Sequence, residues 1–229
     1  DALTGTPNRA SFDEALARAC RERARGGPGF AVLCIDLDRF KEINDALGHA
    51  GGDELLRQTA LRLQAAVRHA DAVARLGSDE FALLQSGVDD AQAVSVFAER
   101  IVAALARPYE LAGQRVNASA SVGAAIHGVD GDDPGSLMHR ADLALYRAKS
   151  NGRGGYSFYD RELDDALQSR RTLTRELRDA LAAGALKLHF QPIWGPHAGR
   201  LLGYEALARW PHPTRGFVPP SEFVALAEA

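Results

Sequence analysis

The sequence predicts an α/β sandwich with a ferredoxin-like or palm-type central sheet flanked by helices, followed by a linker helix and a short β-containing fragment. Three observations carry this. The apolar, β-rich run Phe30–Ile35 lies between a Gly/Pro cluster and Asp36-Leu37-Asp38, as a buried central strand does. Strand-like runs at 72–76 and 80–84 enclose Gly77-Ser78-Asp79, the strongest hairpin signal in the chain. Helical and strand-like segments follow one another as βααββαβ, which fits a ferredoxin-like sandwich rather than a doubly wound sheet.

Each element has its own signal. Residues 8–25 carry Phe12, Leu16 and Ala19 at helical spacing, with Ser11 as the expected N-cap and Glu14 three residues on, and stop at Gly26-Gly27-Pro28-Gly29. After the central strand, a helix over 39–47, a Gly-rich break at 48–52 and a longer amphipathic helix over 53–68 are expected. Beyond the hairpin, a helix over 89–106 ends before Pro108, and 115–126 alternates as one strand. A helix over 137–150 runs into Asn151-Gly152-Arg153-Gly154-Gly155, a C-cap and turn cluster, and a short strand at 156–159 closes the region. Residues 161–183 are charged and helical, with Leu163, Leu167, Leu173, Leu177 and Leu181 as a stripe and Gly184 as the stop. Strand-like runs at 186–194 and 200–210 follow, in a stretch of 45 residues that is short for an independent core. The division expected is 1–160, a linker helix at 161–184, and a fragment at 185–229.

Composition narrows the function. With 46% hydrophobic and 25% charged residues the chain is an ordinary folded protein of 229 residues, long enough for one large or two small domains. Its net charge of −3 gives no global positive field, so an anionic ligand needs a local basic site or a metal, and duplex DNA is not an expected partner. Cys20 and Cys34 form no CxxC and read as reduced thiols of a cytoplasmic protein. No apolar run approaches the ~20 residues that span a bilayer, so no membrane contact is expected from this chain itself. Of 27 basic residues only Lys41, Lys149 and Lys187 are lysines, which singles those positions out.

The residues that carry chemistry are acidic. Asp36 and Asp38 leave one face at the end of the central strand, and Asp79-Glu80 lie on the hairpin that pairs beside it, so these elements are expected to converge. Such a cluster repels itself, and Mg²⁺ resolves the conflict by taking oxygens from one or two carboxylates and filling its octahedron with phosphate and water. Capping of the following helix by Asp36 and Asp38 is an equally good reading of their spacing. No GxxxxGK[ST], GxGxxG, GxSxG or Cys–His pairing occurs. Gly48-His49-Ala50-Gly51-Gly52-Asp53 taken alone is an ordinary loop, and Lys149 with Arg153 alone is a cationic helix end.

Together these pieces form a pattern. Asp1-Ala2-Leu3-Thr4-Gly5-Thr6-Pro7-Asn8-Arg9, the run Asp36–Asp45, Gly48-His49 with Gly52-Asp53, Arg75-Leu76-Gly77-Ser78-Asp79-Glu80-Phe81, and Ala141–Lys149 with Gly152-Arg153 resemble, in order and spacing, the GGDEF family of diguanylate cyclases over about residues 1–159. Phe190-Gln191-Pro192-Ile193, Gly203–Trp210 and Pro219-Pro220-Ser221-Glu222-Phe223 resemble the opening of an EAL-type cyclic-di-GMP phosphodiesterase domain.

The resemblance implies a Mg²⁺- or Mn²⁺-dependent condensation of two GTP into cyclic di-GMP by a homodimer. Asp36, the Leu37 carbonyl and Asp79 match the metal ligands, and Glu80 completes the acidic site. Asn44 and Asp53 match the guanine readers, a sound pairing for the N1–H, N2–H₂ and N3 groups. Phe40, Gly77 and Ser78 fall within the GTP site, and Lys41, Lys149 and Arg153 match phosphate contacts, with Lys149 also catalytic. Arg68 and Asp71 match the RxxD inhibitory site for cyclic di-GMP, whose bland alternative is a helix-end salt bridge. In the second segment Glu205 matches a metal ligand, and Gln191, Leu207 and Arg209 ligand contacts; the remaining acidic ligands and the base have no counterpart here, so phosphodiesterase activity is not implied. One departure stands out: the family's second glycine is Ser78. A left-handed turn there is expected to cost roughly 1–2 kcal/mol, attenuating turnover more than binding. The alternative is a catalytically quiet GTP- or cyclic-di-GMP-binding module that regulates an adjacent EAL domain.

Overall fold

The computed structural model describes residues 1–195 and 200–227, and the side chains of all of these except 162–168, 170 and 171. It divides into two compact units, Asp1–Asp160 and Arg161–Ala229. The first runs α1 (Arg9–Arg23), β1 (Phe30–Leu37), α2 (Phe40–Ala66), β2 (Ala72–Arg75), β3 (Glu80–Ser86), α3 (Ala91–Leu105), β4 (Tyr109–Leu111), β5 (Gln114–Val116), β6 (Ala120–Ile126), α4 (Pro134–Ser150) and β7 (Tyr156–Phe158).

The sheet order is β2-β3-β1-β6-β7. β1 pairs antiparallel with both β3 and β6, and β7 adds in parallel to β6. This is a split ferredoxin-like sheet with one added edge strand. All eight residues of β1 are buried, because helices cover both faces. Ala31, Leu33, Ile35 and Leu37 face α2 and α3 with Leu55, Leu63, Val94 and Ile101. Phe30, Val32 and Cys34 face α1 and α4 with Phe12, Leu16, Leu137 and Leu145.

Several boundaries differ from the sequence reading. The N-cap of α1 is Asn8, whose side chain accepts the Ser11 amide at 3.0 Å, so Ser11 lies inside the first turn. The expected break at 48–52 contracts to Gly48 alone (φ 72°), since Gly51 and Gly52 continue the helix and are buried. The single strand expected over 115–126 is instead the β4–β5 hairpin followed by β6. Ala112 and Gly113 both take positive φ, the signature of a two-residue turn that matches strand twist, and Tyr109 and Leu111 join the core.

The second unit has α5 (Arg161–Ala182), β8 (Lys187–Trp194), β9 (Leu201–His212), β10 (Gly216–Val218) and α6 (Pro220–Ala227). β10 and α6 were not anticipated. They complete a small core in which Leu173 and Leu177 of α5 join Trp210, Val218 and Phe223. The side chains of Leu163 and Leu167, the start of the expected leucine stripe, lie outside the described ones. Among the described residues, no helix is long and apolar enough to cross a membrane.

Candidate functional site

The site is built at the carboxyl end of β1. Asp36 stands opposite Glu80 of β3 and Ser121 of β6 in one transverse row. The Leu37 amide donates to the Asp79 carbonyl at 3.3 Å, which ties the hairpin tip to the end of the central strand. α4 reaches the same place because Gly123, paired with Cys34, has no side chain. A Cβ there would collide with the Leu145 amide and the Ala141 carbonyl, so the helix rests on the bare strand. One helical turn beyond Leu145, Lys149 Nζ lies 2.6 Å from Asp36 Oδ2. A pocket of about 200 Å³ opens here, lined by Arg9, Asp36, Glu80, Asp142, Tyr146 and Lys149.

Burial is the main cause that pushes the Asp36 carboxyl above its usual range, with Asp79 and Asp38 adding to it; Lys149 works against the shift. Lys149 is the cation that opposes this rise, at 2.6 Å from Asp36 Oδ2. Glu80 is half exposed and faces Arg9 Nη2 at 3.7 Å, a weak, solvent-screened pair. Burial, with Asp142 adding to it, raises the Cys34 thiol well above its ordinary pKa, so it is an inert packed group.

The expected convergence of Asp36, Asp38 and the Asp79-Glu80 pair is corrected in one respect. Asp38 turns into the sheet, where its carboxylate accepts Ser119 Oγ and Ser121 Oγ, each at 2.7 Å, and the Gly154 amide at 3.0 Å. Its oxygen lone pairs are taken by protein donors. Among the described residues no three His, Cys, Asp or Glu side chains form a ready-made metal cluster. Asp36, Asp79 and the Leu37 main chain remain, a sparse oxygen set suited to an ion that keeps water and substrate phosphate in its shell. The donor set fits Mg²⁺ or Mn²⁺ on that chemistry.

The hairpin tip is braced from below. Arg75 Nη2 donates to the Ser78 carbonyl at 2.7 Å and Nη1 to Asp1 Oδ1 at 3.0 Å, while the Leu76 amide donates to the Glu80 carbonyl at 2.8 Å. Among the described residues, the non-glycine positions with positive φ are Arg39, Ala112 and Arg153. Ser78 is not one of them, so the expected left-handed strain at Ser78 is absent: the brace closes the turn without needing that conformation. What Ser78 does contribute is a hydroxyl that donates to Asp79 Oδ1.

α2 presents a second group of residues. A Cβ at Gly52 would collide with Asn44 Oδ1 and lie 3.2 Å from Phe40 Cζ, so the missing side chain lets Phe40 and Asn44 pack across the kink beside Asp53. Lys41 is exposed in the first turn. Arg153 sits in the turn after α4, its amide on the Ala148 carbonyl at 3.2 Å. Arg68 and Asp71 lie elsewhere, past the end of α2. Asp71 accepts the Arg68 amide at 2.8 Å and the Ser86 amide at 3.0 Å; no Arg68–Asp71 ion pair forms, and the Arg68 side chain is exposed. In the second unit Gln191 pairs with Glu205, His189 with Leu207 and Lys187 with Arg209, so Gln191, Glu205, Leu207 and Arg209 share one face of β8–β9. Sequence reasoning missed the Ser119–Ser121–Gly154 anchor of Asp38, since residues 81 to 116 positions away carry no local signal for it.

An α/β sandwich that gathers carboxylates and a lysine at the end of its central strand is the class into which GGDEF domains fall. The chain belongs to the GGDEF family: the family described as diguanylate cyclase, GGDEF domain, matches residues 1–155, and the EAL domain family matches residues 174–229. The bifunctional diguanylate cyclase/cyclic di-GMP phosphodiesterase MucR of Pseudomonas aeruginosa is 43% identical over all of this chain and 33% of its own. The GGDEF domain of TpbB (YfiN) from the same organism superimposes with a TM-score of 0.71 at 41% identity, covering 73% of this chain and 98% of that one. The GGDEF domain of Caulobacter crescentus DgcB, solved with c-di-GMP, gives 0.63 at 32% identity over 70% of this chain and 92% of its own. The chain spans about a third of the length of the relatives it matches end to end, 28% and 33% for the first two. These matches support a cyclase or regulatory role for its GGDEF domain.

Proposed function

We propose that the GGDEF domain is a diguanylate cyclase that joins two GTP into cyclic di-GMP. The observation that carries this is the gathering of Asp36, Asp79, Glu80 and Lys149 at the end of β1. In the reaction each 3′-oxygen bonds to the other nucleotide's α-phosphorus, the bond to the bridging oxygen breaks, and two pyrophosphates and two protons leave. Asn44 and Asp53 read guanine, while Lys41, Lys149 and Arg153 hold phosphate oxygens; lysine's compact charge suits a terminal phosphate. Asp36, the Leu37 carbonyl and Asp79 would hold Mg²⁺ or Mn²⁺, which would supply neutralising charge and lower the pKa of an attacking hydroxyl. One domain holds one GTP, so two copies must face each other, and the specific rate rises with protein concentration. Incubating the chain with GTP and Mg²⁺ and separating products by chromatography tests the proposal: cyclic di-GMP supports it, and its absence at every protein concentration rejects it.

A second reading, a quiet nucleotide-binding module that regulates an EAL domain, is favoured by one contact. The Ser78 hydroxyl occupies a lone pair of Asp79, a proposed metal ligand. Ser78→Gly is expected to raise turnover several-fold with little change in GTP affinity, since a defect confined to the transition state lowers the rate without touching ground-state binding. If both proteins bind GTP yet neither turns it over, the regulatory reading replaces the enzyme.

Product inhibition through Arg68 belongs to the same proposal. Its exposed guanidinium can grip guanine or phosphate with two parallel hydrogen bonds, while Asp71 holds the turn. Arg68→Ala is expected to weaken cyclic-di-GMP binding by roughly 1.5–3 kcal/mol, the range for a lost charge-assisted bond. Unchanged affinity by calorimetry returns Arg68 to an ordinary surface residue.

A further inference from the structure

Asp38 is only 5% exposed and has no part in the chemistry just described. Its three donors nevertheless connect three parts of the fold. Ser119 and Ser121 belong to β6 and the residues just before it, and Gly154 belongs to the turn after α4. The Asp38 amide donates back to the Ser119 carbonyl at 2.9 Å, so backbone and side chain are both engaged.

The turn that Asp38 holds is unusual. Arg153 is left-handed at φ 65°, between Gly152 at 114° and Gly154 at 62°. A side chain rests in that conformation only where its surroundings over-determine it, and such residues collect at functional sites. Three hydrogen bonds do so here. The Arg153 amide reaches Ala148, the Val122 amide reaches the Gly155 carbonyl at 2.9 Å, and the Gly154 amide reaches Asp38. Of the three, only the last runs to the chain that leaves β1, two residues beyond Asp36.

We infer that Asp38 is a positioning residue: by gripping Gly154 it holds the Arg153 guanidinium, and the last turn of α4 with Lys149, in register with the end of β1 to receive the nucleotide's phosphates. This rests on the proposed GTP site. Asp38 works through its oxygen lone pairs. An asparagine at this position can still give its oxygen to Ser119 and Gly154 while its NH₂ donates to Ser121, whose hydroxyl accepts as readily as it donates. An alanine offers nothing. If Asp38 acted instead through its charge on Asp36, asparagine and alanine would be equally damaging.

The test uses the full chain, with affinities for GTP and for guanosine measured in Mg²⁺. Asp38→Ala is expected to weaken GTP binding about tenfold, the scale of one charge-assisted contact, while guanosine, read at Asn44 and Asp53, binds as before. Asp38→Asn is expected to bind GTP as the wild type does. In an Arg153→Ala background the Asp38→Ala effect is expected to shrink to the part carried by Lys149, because the two changes share the Arg153 contact. Equal losses for GTP and guanosine, equal losses for alanine and asparagine, or additive effects with Arg153→Ala overturn the inference. If the wild type binds no GTP, the GTP reading has failed, and amide exchange then judges the anchor separately. The Gly154 amide of the wild-type protein is expected to be strongly protected, and an unprotected Gly154 overturns the inference whether or not Asp38→Ala folds.

Discussion

On the proposed function, Asp79→Ala is expected to reduce GTP turnover about a thousandfold, because loss of a proposed metal ligand would remove roughly 4 kcal/mol of transition-state charge stabilisation. Activity is not the only readout. Mg²⁺ with a non-hydrolysable GTP analogue at ~100 times its dissociation constant should add about 2.7 kcal/mol of stability to the wild type, seen as a higher Tm. Binding of a cation would relieve an unfavourable setting at the end of β1, where burial first, then Asp79 and Asp38, raise the Asp36 pKa and Lys149 opposes the rise. Asp79→Ala should lose most of that gain. An equal Tm shift in the variant rejects Asp79 as part of the site, and the same shift with an ATP analogue rejects guanine selectivity at Asn44 and Asp53.

Gly123→Ala is the largest effect expected on the fold. The added methyl would meet main-chain atoms of Leu145 and Ala141, which have no rotamer into which to retreat, so α4 itself must move off the sheet. Overpacking of this kind costs about 3 kcal/mol, which lowers Tm by roughly 6–12 °C for a unit of this size. The displacement also lifts Lys149, one turn beyond Leu145, away from Asp36, so GTP binding should weaken in the fraction that remains folded. A variant with unchanged Tm would show that α4 does not rest on the bare strand at Gly123.

Much of this was legible in the sequence because it is local. β1 announces itself as six apolar residues between a Gly/Pro cluster and Asp36-Leu37-Asp38, and the β2–β3 hairpin by the turn residues Gly77-Ser78-Asp79. The resemblance carried the rest of the proposed GTP site, since Phe40, Asn44 and Asp53 lie within one motif-bearing stretch. Misreadings fell where a local pattern has two continuations. Residues 115–126 alternate like one strand, yet Ala112-Gly113 turns the chain so that β5 pairs with β4 while β6 enters the main sheet. Ser78 reads as a strained replacement for glycine only if the turn must be left-handed there, and Arg75 removes that requirement by gripping the Ser78 carbonyl.

By itself, then, the sequence determined the family, the order of the main elements and the residue types at the end of β1, because periodicity, turn chemistry and motif spacing are properties of neighbours along the chain. Tertiary structure alone decided what each acid does. Asp36 lies in β1 and Asp38 in the turn just past its end, two residues apart, and their sequence spacing does not tell their roles apart. Asp36 meets Lys149 at 2.6 Å and keeps an open side toward the pocket, whereas Asp38 meets Ser119, Ser121 and Gly154 and is saturated. A carboxylate's role follows from which donors fill its lone pairs, and those donors arrive from as far as 116 positions along the chain.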